Sequence, residues 1–326
     1  MSRNRATTAD VARAAGVSKA TVSYVLNDVA HHSISARTRA AVMKAVRDLD
    51  YTPNRAARSL ATGNTHLIVT VIPDNALRHL GLLIGGVLGA ELSKFGIVSV
   101  IHQEGPGSRA VVDVIAELLP TVVFAMDELA PEVAAQLRMF GTETISLSGL
   151  ASSDPTYQEP QSAAQMAHLI ARGHREIAYA LPDGIELDWL ANPRMDTARR
   201  VARSAGIPDP PAQRIPQHES RIARIVESWH QAGITAVCCY NDEVAFRVLR
   251  GVSVAGLSCP ADVAVIGVDD IPLAPFAHPP LTSVAVPEHT RVAILVNLIV
   301  AAARGLPIPD TSVPDDAVVV HRRQST

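Results

Sequence analysis

Residues 7–28 read TTADVARAAGVSKATVSYVLND, a run with few large side chains and one aromatic, Tyr24, near its end. Thr7 stands where a helix N-cap belongs, with Asp10 at the third helical position as a weaker relative of the capping box. Ala12, Gly16 and Val22 follow with the A-x3-G-x5-V spacing of a helix-turn-helix. The small Ala lets two helices cross closely, Gly accepts a positive φ in the turn, and Val packs the second helix on the first. On a helix starting at Ser18, Val22, Val25 and Leu26 share one face, while Ala20, Ser23, Tyr24 and Asn27 share another.

Working outward, Ser35 precedes a third helical pattern over about 36–49 that places Val42, Val46 and Leu49 inward and Arg39, Lys44 and Arg47 outward. The pattern breaks at Pro53 and restarts as a two-turn helix, Asn54–Ala61, stopped by Gly63. So short a helix is ordered only when something packs on it. Residues 1–63 carry ten Lys/Arg against four Asp, a balance of +6, which leaves −9 for the remainder of a chain whose net charge is −3. A basic terminal module on an acidic body points to a polyanion partner, because neutralising phosphates releases counterions; on charge alone a solvated basic face fits as well.

From His66 the texture changes to alternating β-branched runs and helical stretches. HLIVTVIP, GIVSVIH, PTVVFAM and TETISLSG are followed by EIAYALP, ITAVCCYND and VAVIGVDD, with helices such as Leu80–Lys94 and Pro131–Met139 between them. That alternation predicts an α/β body of doubly wound parallel sheets in two lobes. Ligands of such sheets bind at the carboxyl ends of the strands, here the loops after Pro73, Pro182, Tyr240 and Val268.

The length of 326 residues suits about two domains, and 4% aromatic with 19% charged residues describes a soluble globular chain. The polar MSRNRATTAD lacks the apolar run of a signal peptide, and no stretch reaches the ~18 apolar residues of a membrane helix, so a cytoplasmic location is expected. Cys238, Cys239 and Cys259 fit neither a disulfide framework nor a C-x-x-C motif and read as reduced core residues.

TTADVARAAGVSKATVSYVLN, ARTRAAVMKAVRDLDYTPNRAARSLATG, ARGHREIAY, ITAVCCYNDEVA, CPADVAVIGVDDIPLA and PPLTSV together resemble, in order, segments of the lactose/galactose-repressor (LacI/GalR) transcription regulators. The resemblance implies a helix-turn-helix DNA-binding domain over 1–50, a hinge helix and linker over 51–64, and a two-lobed periplasmic-binding-protein-like core over 65–326. The N-lobe would hold about 65–159 and 287–310, the C-lobe about 160–286 and 311–326. It further implies a homodimer on a palindromic operator in double-stranded DNA, a repressor whose affinity a small polar molecule modulates.

Carried over residue by residue, the positions that resemble base-reading ones are Lys19, Ala20 and Tyr24, and those that resemble phosphate contacts are Thr7, Thr21, Ser23 and Asn27. Tyr24 departs from the Arg commoner there, exchanging a bidentate guanine contact for one phenol; the alternative is that it packs on the third helix. In the hinge helix, Asn54, Arg55, Arg58 and Leu60 resemble the minor-groove segment, with Leu60 as an apolar wedge that kinks DNA; the alternative is that Leu60 simply covers the core. Arg194 and Asp242 resemble effector-contacting residues, and Asp74 and His218 complete the expected effector set. The pocket departs from the family elsewhere: PDNALRHLGLL lacks the usual aromatics, leaving Arg78 or His79 at the mouth, and in YQEPQS the nearest acid is Glu159.

Other classes fit less well. GLLIGGVLG has neither GK[ST] nor G-x-G-x-x-G spacing, and no G-x-S-x-G elbow or His/Glu metal pattern stands out, so no enzyme, cofactor or metal is expected. A transport solute-binding protein shares the core architecture, but the basic N-terminal module and the missing signal peptide oppose it.

Overall fold

A computed structural model of the chain describes residues 6–26, 34–51, 65–73, 83–149, 159–185 and 187–326. The chain divides into two compact units, 1–65 and 66–326.

In the first unit, α1 (Thr8–Ala15), α2 (Lys19–Leu26) and α3 (Ala36–Asp48) enclose a small core of Val11, Ala12, Val22, Val25, Val42, Ala45 and Tyr51. Each helix start has its stated chemical cause. The capping box at Thr7 is complete: the Thr7 backbone N–H donates to the Asp10 carboxylate at 2.9 Å, and the Asp10 N–H donates to the Thr7 hydroxyl at 3.4 Å. The hydroxyls of Ser18 and Ser35 accept from the N–H groups of Thr21 and Thr38 at 3.0 and 3.1 Å. Caps of this kind contribute about 1 kcal/mol each. Gly16 ends α1 at φ 67°, which costs glycine little, and the Val17 N–H reaches back to the Ala12 carbonyl at 3.0 Å. Leu49 differs from the sequence reading. It lies beyond the last helical residue and is 36% exposed, because the helix stops before Leu49 can join the inner face, and Ala45 and Tyr51 fill that core instead.

In the second unit a four-stranded parallel sheet has the order β2 (Val98–Glu104), β1 (Leu67–Pro73), β3 (Val122–Ala125), β4 (Glu143–Ser146). A six-stranded sheet has the order β10 (Val319–His321), β9 (Thr282–Ala285), β8 (Ala264–Val268), β7 (Ala236–Cys239), β5 (Ile177–Leu181), β6 (Ala212–Arg214). All its pairings are parallel except that of β10 with β9. The central strands β5, β7 and β8 are buried along their whole length, as parallel strands covered on both faces must be.

Helices α4 (Gly89–Ser93), α5 (Val111–Leu118), α6 (Pro131–Met139), α7 (Pro160–Ala171), α8 (Asp188–Ser204), α9 (Glu219–Gln231), α10 (Asp242–Val254) and α11 (Glu288–Ala303) connect and cover the strands. Before α4 the turns over Leu83–Leu88 are π-helical where an α-helix was predicted, and they contain a Gly-Gly pair at the low end of helix propensity. The late helix α11 returns to pack on β3 and β4. Cys238 and Cys239 are buried, Cys259 is partly so, and all three are free thiols; burial pushes the Cys259 thiol up to about 12. Among the described residues no helix is long and apolar enough to cross a membrane, and no cluster of His, Cys, Asp or Glu is arranged to hold a metal.

Candidate functional site

Two sets of residues were expected to carry function, and the structure treats them differently. In the helical unit, Val22 and Val25 bury one side of α2, which turns Lys19, Ala20, Ser23 and Tyr24 outward. Tyr24 is 36% exposed, so its ring is not enclosed in the module core. Thr21 is half-buried and shares a hydrogen bond of 2.9 Å with Ser18; Thr7 is exposed at the start of α1. The expected Asn27, Asn54, Arg55, Arg58 and Leu60 lie outside the described residues, as do Asp74, Arg78 and His79.

In the second unit, Arg194 on α8 is 5% exposed and sits at the carboxyl end of the six-stranded sheet. Its Nη1 donates to the Tyr240 carbonyl at 2.7 Å, its guanidinium lies 5.0 Å from the centroid of the Tyr240 ring, and its Nε is 3.7 Å from the Glu159 carboxylate. Burial opposes its charge, but Glu159 and Asp269 outweigh that and raise its pKa. Burial likewise pushes the Tyr240 phenol up to about 12, with Arg194 pulling the other way. The structure thus brings Arg194 together with Glu159, the acid nearest the first crossover. Arg194 is also held from behind, since its carbonyl accepts from the buried Ser162 hydroxyl at 2.7 Å.

Asp242 takes a different place from the one its type suggests. It opens α10 after the cap Asn241, is 1% exposed, and spends both carboxylate oxygens internally. The Ser283 hydroxyl donates to Oδ1 at 2.6 Å and the Ile271 backbone N–H donates to Oδ2 at 2.8 Å. Burial pushes its pKa up to about 7 against these two bonds, and Asp269 and Asp270 add repulsion. A Cβ at position 267 would collide with this carboxylate, so Gly267 is what makes room for it. The side chain therefore organises the loop after β8. The Asp270 N–H donates to the Ser283 oxygen at 3.0 Å and the Asp269 N–H to the Val284 carbonyl at 2.9 Å, which together hold Asp269 at φ 98° and Asp270 at φ 49°. Non-glycine residues take such angles only where the surroundings enforce them.

Asp269 is the residue that sequence reasoning passed over. It interacts electrostatically with both Arg194 and Tyr240, and its carboxylate lies 3.6 Å from Arg291 in the first turn of α11. Its neighbour Asp270 pairs instead with Arg323 at 2.7 Å. The signal is present in VAVIGVDD, whose loop follows a strand's carboxyl end, but adjacent aspartates cannot be told apart without the backbone angles that aim them. Gln165 was passed over too: its amide donates to the carbonyls of Cys239, Ile266 and Gly267 at 2.9–3.2 Å and fixes the carboxyl ends of β7 and β8 to each other. His218, expected at the pocket, is the exposed residue that precedes α9.

Comparison with known proteins follows the same division of the chain. Residues 7–54 match the model for bacterial regulatory proteins of the lacI family, and residues 166–326 match a periplasmic binding protein-like domain. The HTH-type transcriptional regulator GalS of Salmonella typhimurium is 30% identical over 315 residues, covering 91% of this chain and 89% of that protein. Catabolite control protein A of Streptococcus mutans is 28% identical, covering 89% of each. Among solved structures, the lac repressor dimer bound to operator and the anti-inducer ONPF aligns over 99% of both chains, with a TM-score of 0.73 and 23% identity. The complex of transcriptional regulator CelR with cellobiose aligns with a TM-score of 0.62 and 23% identity, covering 99% of this chain and 100% of that one. With the helix-turn-helix, the mainly parallel two-sheet body and near full-length similarity all in agreement, the chain belongs to the lacI family of bacterial regulatory proteins.

Proposed function

We propose that this chain represses transcription in the cytoplasm as a homodimer that reads a palindromic operator with α2 and releases or gains affinity when a small polar molecule occupies the carboxyl end of the six-stranded sheet. The observation that carries the DNA reading is the division of α2: a buried Val22/Val25 side and an outward side of Lys19, Ala20 and Tyr24 on a basic module. Lys19 donates to guanine O6 or N7, Ala20 offers its methyl to thymine, and Tyr24 gives one hydroxyl. Thr7, Thr21, Ser23 and Asn27 position the module on phosphates, and Asn54, Arg55, Arg58 and Leu60 engage the minor groove. Relatives such as GalS are HTH-type transcriptional regulators, and no catalytic residue is assigned.

For the effector we assign Arg194 and Asp269 as the charged contacts, Tyr240 as the ring wall, and Asp242 as the residue that positions Asp269. The lac repressor and CelR structures hold ONPF and cellobiose, and an Arg–Asp pair flanked by an aromatic ring suits the hydroxyls of a related sugar-like ligand. A ligand that takes up the Asp269 carboxylate competes with Arg291. Because α11 packs on the first sheet, that competition gives occupancy a route to the other lobe.

The test is selection of binding sites from random duplex followed by anisotropy titration of the full chain at several salt concentrations. A palindromic site and an affinity that falls steeply as salt rises are expected. Equal affinity for selected and random duplex would remove the reading.

A further inference from the structure

Away from the Arg194 cluster, edge strand β6 and helix α9 flank an open surface groove of about 520 Å³. Helical spacing sets Arg221, Arg224 and Ser228 on one side of α9, because residues three and four apart are neighbours on a helix surface. Gln213 and Arg214 from β6 form the opposite side, and Trp229, 7% exposed, contributes to an apolar floor with Ile225 and Pro216. Among the described residues, no acidic side chain lines the groove.

The three guanidinium groups differ in what they already hold. Arg214 is locked: its Nη2 donates to both Asp188 carboxylate oxygens at 2.8 Å, and its Nη1 to the carbonyls of Pro182 and Gly184. Arg221 and Arg224 are exposed and have no acidic partner among the described residues, although neighbouring arginines do: Arg203 pairs with Asp209, and Arg250 with Glu219. Two uncompensated guanidinium groups one helical turn apart present a planar array of donors to a tetrahedral dianion, which a carboxylate would leave half used. The groove volume falls within the range of small-molecule sites, roughly 300–1,000 Å³, and the Trp229 floor with the Gln213 and Ser228 polar groups suits a ring bearing hydroxyls.

We infer that this groove is a second ligand site, one that takes a sugar-sized phosphate monoester, with Arg221 and Arg224 holding the phosphate and Trp229 and Gln213 meeting the carbon skeleton. It shares no lining residue with the Arg194–Tyr240–Asp269 cluster and does not depend on the effector assignment made there.

The full chain titrated with ribose 5-phosphate, followed by calorimetry and by the fluorescence of Trp229 with Trp189→Phe as background, should show saturable binding that ribose does not give. Arg221→Gln with Arg224→Gln should weaken it at least tenfold with an unchanged urea midpoint, while Asp269→Asn leaves it unaltered. Absence of saturable binding, equal binding by the double variant, or loss in Asp269→Asn instead would overturn the site. Inorganic phosphate binding as tightly as ribose 5-phosphate would overturn it as well, since the groove would then recognise only a bare anion.

Discussion

The outward side of α2 and the cluster around Arg194, the two places proposed for recognition, hold their polar groups under opposite conditions. On α2 the outward side chains reach solvent because other residues of the same helix are buried, and exposed positions of this kind contribute little to keeping a module folded. Around Arg194 the charges are withdrawn from water, so each must be matched by a neighbour: Arg194 by Glu159 and the Tyr240 carbonyl, Asp242 by Ser283 and Ile271. The first arrangement can be rewritten one residue at a time to change what is read. In the second, the recognition proposed above would use the contacts that hold the cluster together, so a change in one should be a change in the other.

The largest way to break this comparison is Arg194→Ala. It removes the Arg194 charge from beside the buried Glu159 carboxylate and leaves the Tyr240 carbonyl without that donor, a loss of about 3–5 kcal/mol. Urea unfolding of the full chain measures it, and a loss below about 1 kcal/mol would mean that the cluster is less coupled to folding than its burial implies.

Asp242→Asn gives the next effect, and its sign is fixed. The folded carboxyl titrates near 7 and the ordinary value is 3.8, so between about pH 4 and 7 the folded state keeps a proton that the unfolded chain has lost. The contribution of this group to stability therefore falls as pH rises through that window, by at most about 1.4 kcal/mol per unit, and is level above it. The difference between wild type and Asp242→Asn, from denaturant midpoints at pH 4.5 to 8, should carry that slope. A flat difference would place the group in a wetter site than the contacts describe.

The smallest effect on stability and the clearest on recognition is Tyr24→Arg. Because Tyr24 is exposed, the variant should unfold within about 0.5 kcal/mol of wild type. A guanidinium there should move the selected operator toward guanine at one position per half-site, by about 1–3 kcal/mol of discrimination. An unchanged site from selection would show that Tyr24 packs and does not read.

Much of this molecule was open to reading from residues alone. Thr7, Ser18 and Ser35 start helices for local hydrogen-bonding reasons, Gly16 turns the chain because it lacks a Cβ, and alternating β-branched runs required a covered parallel sheet. Such features depend on neighbours within a few positions, and periodicity reports them. What tertiary structure decided is which polar groups are consumed and which remain. Asp242 and Asp269 are the same residue type, each at the end of a buried strand. Only the approach of Ser283 and Ile271, 41 and 29 residues away, takes Asp242 for the scaffold and leaves Asp269 to face Arg194. Likewise Arg214 and Arg221 stand on one groove, and only the fold gives Asp188 to the first and, among the described residues, no acid to the second. Burial and hydrogen-bond matching are properties of groups brought together from distant parts of the chain, and local spacing carries no record of them.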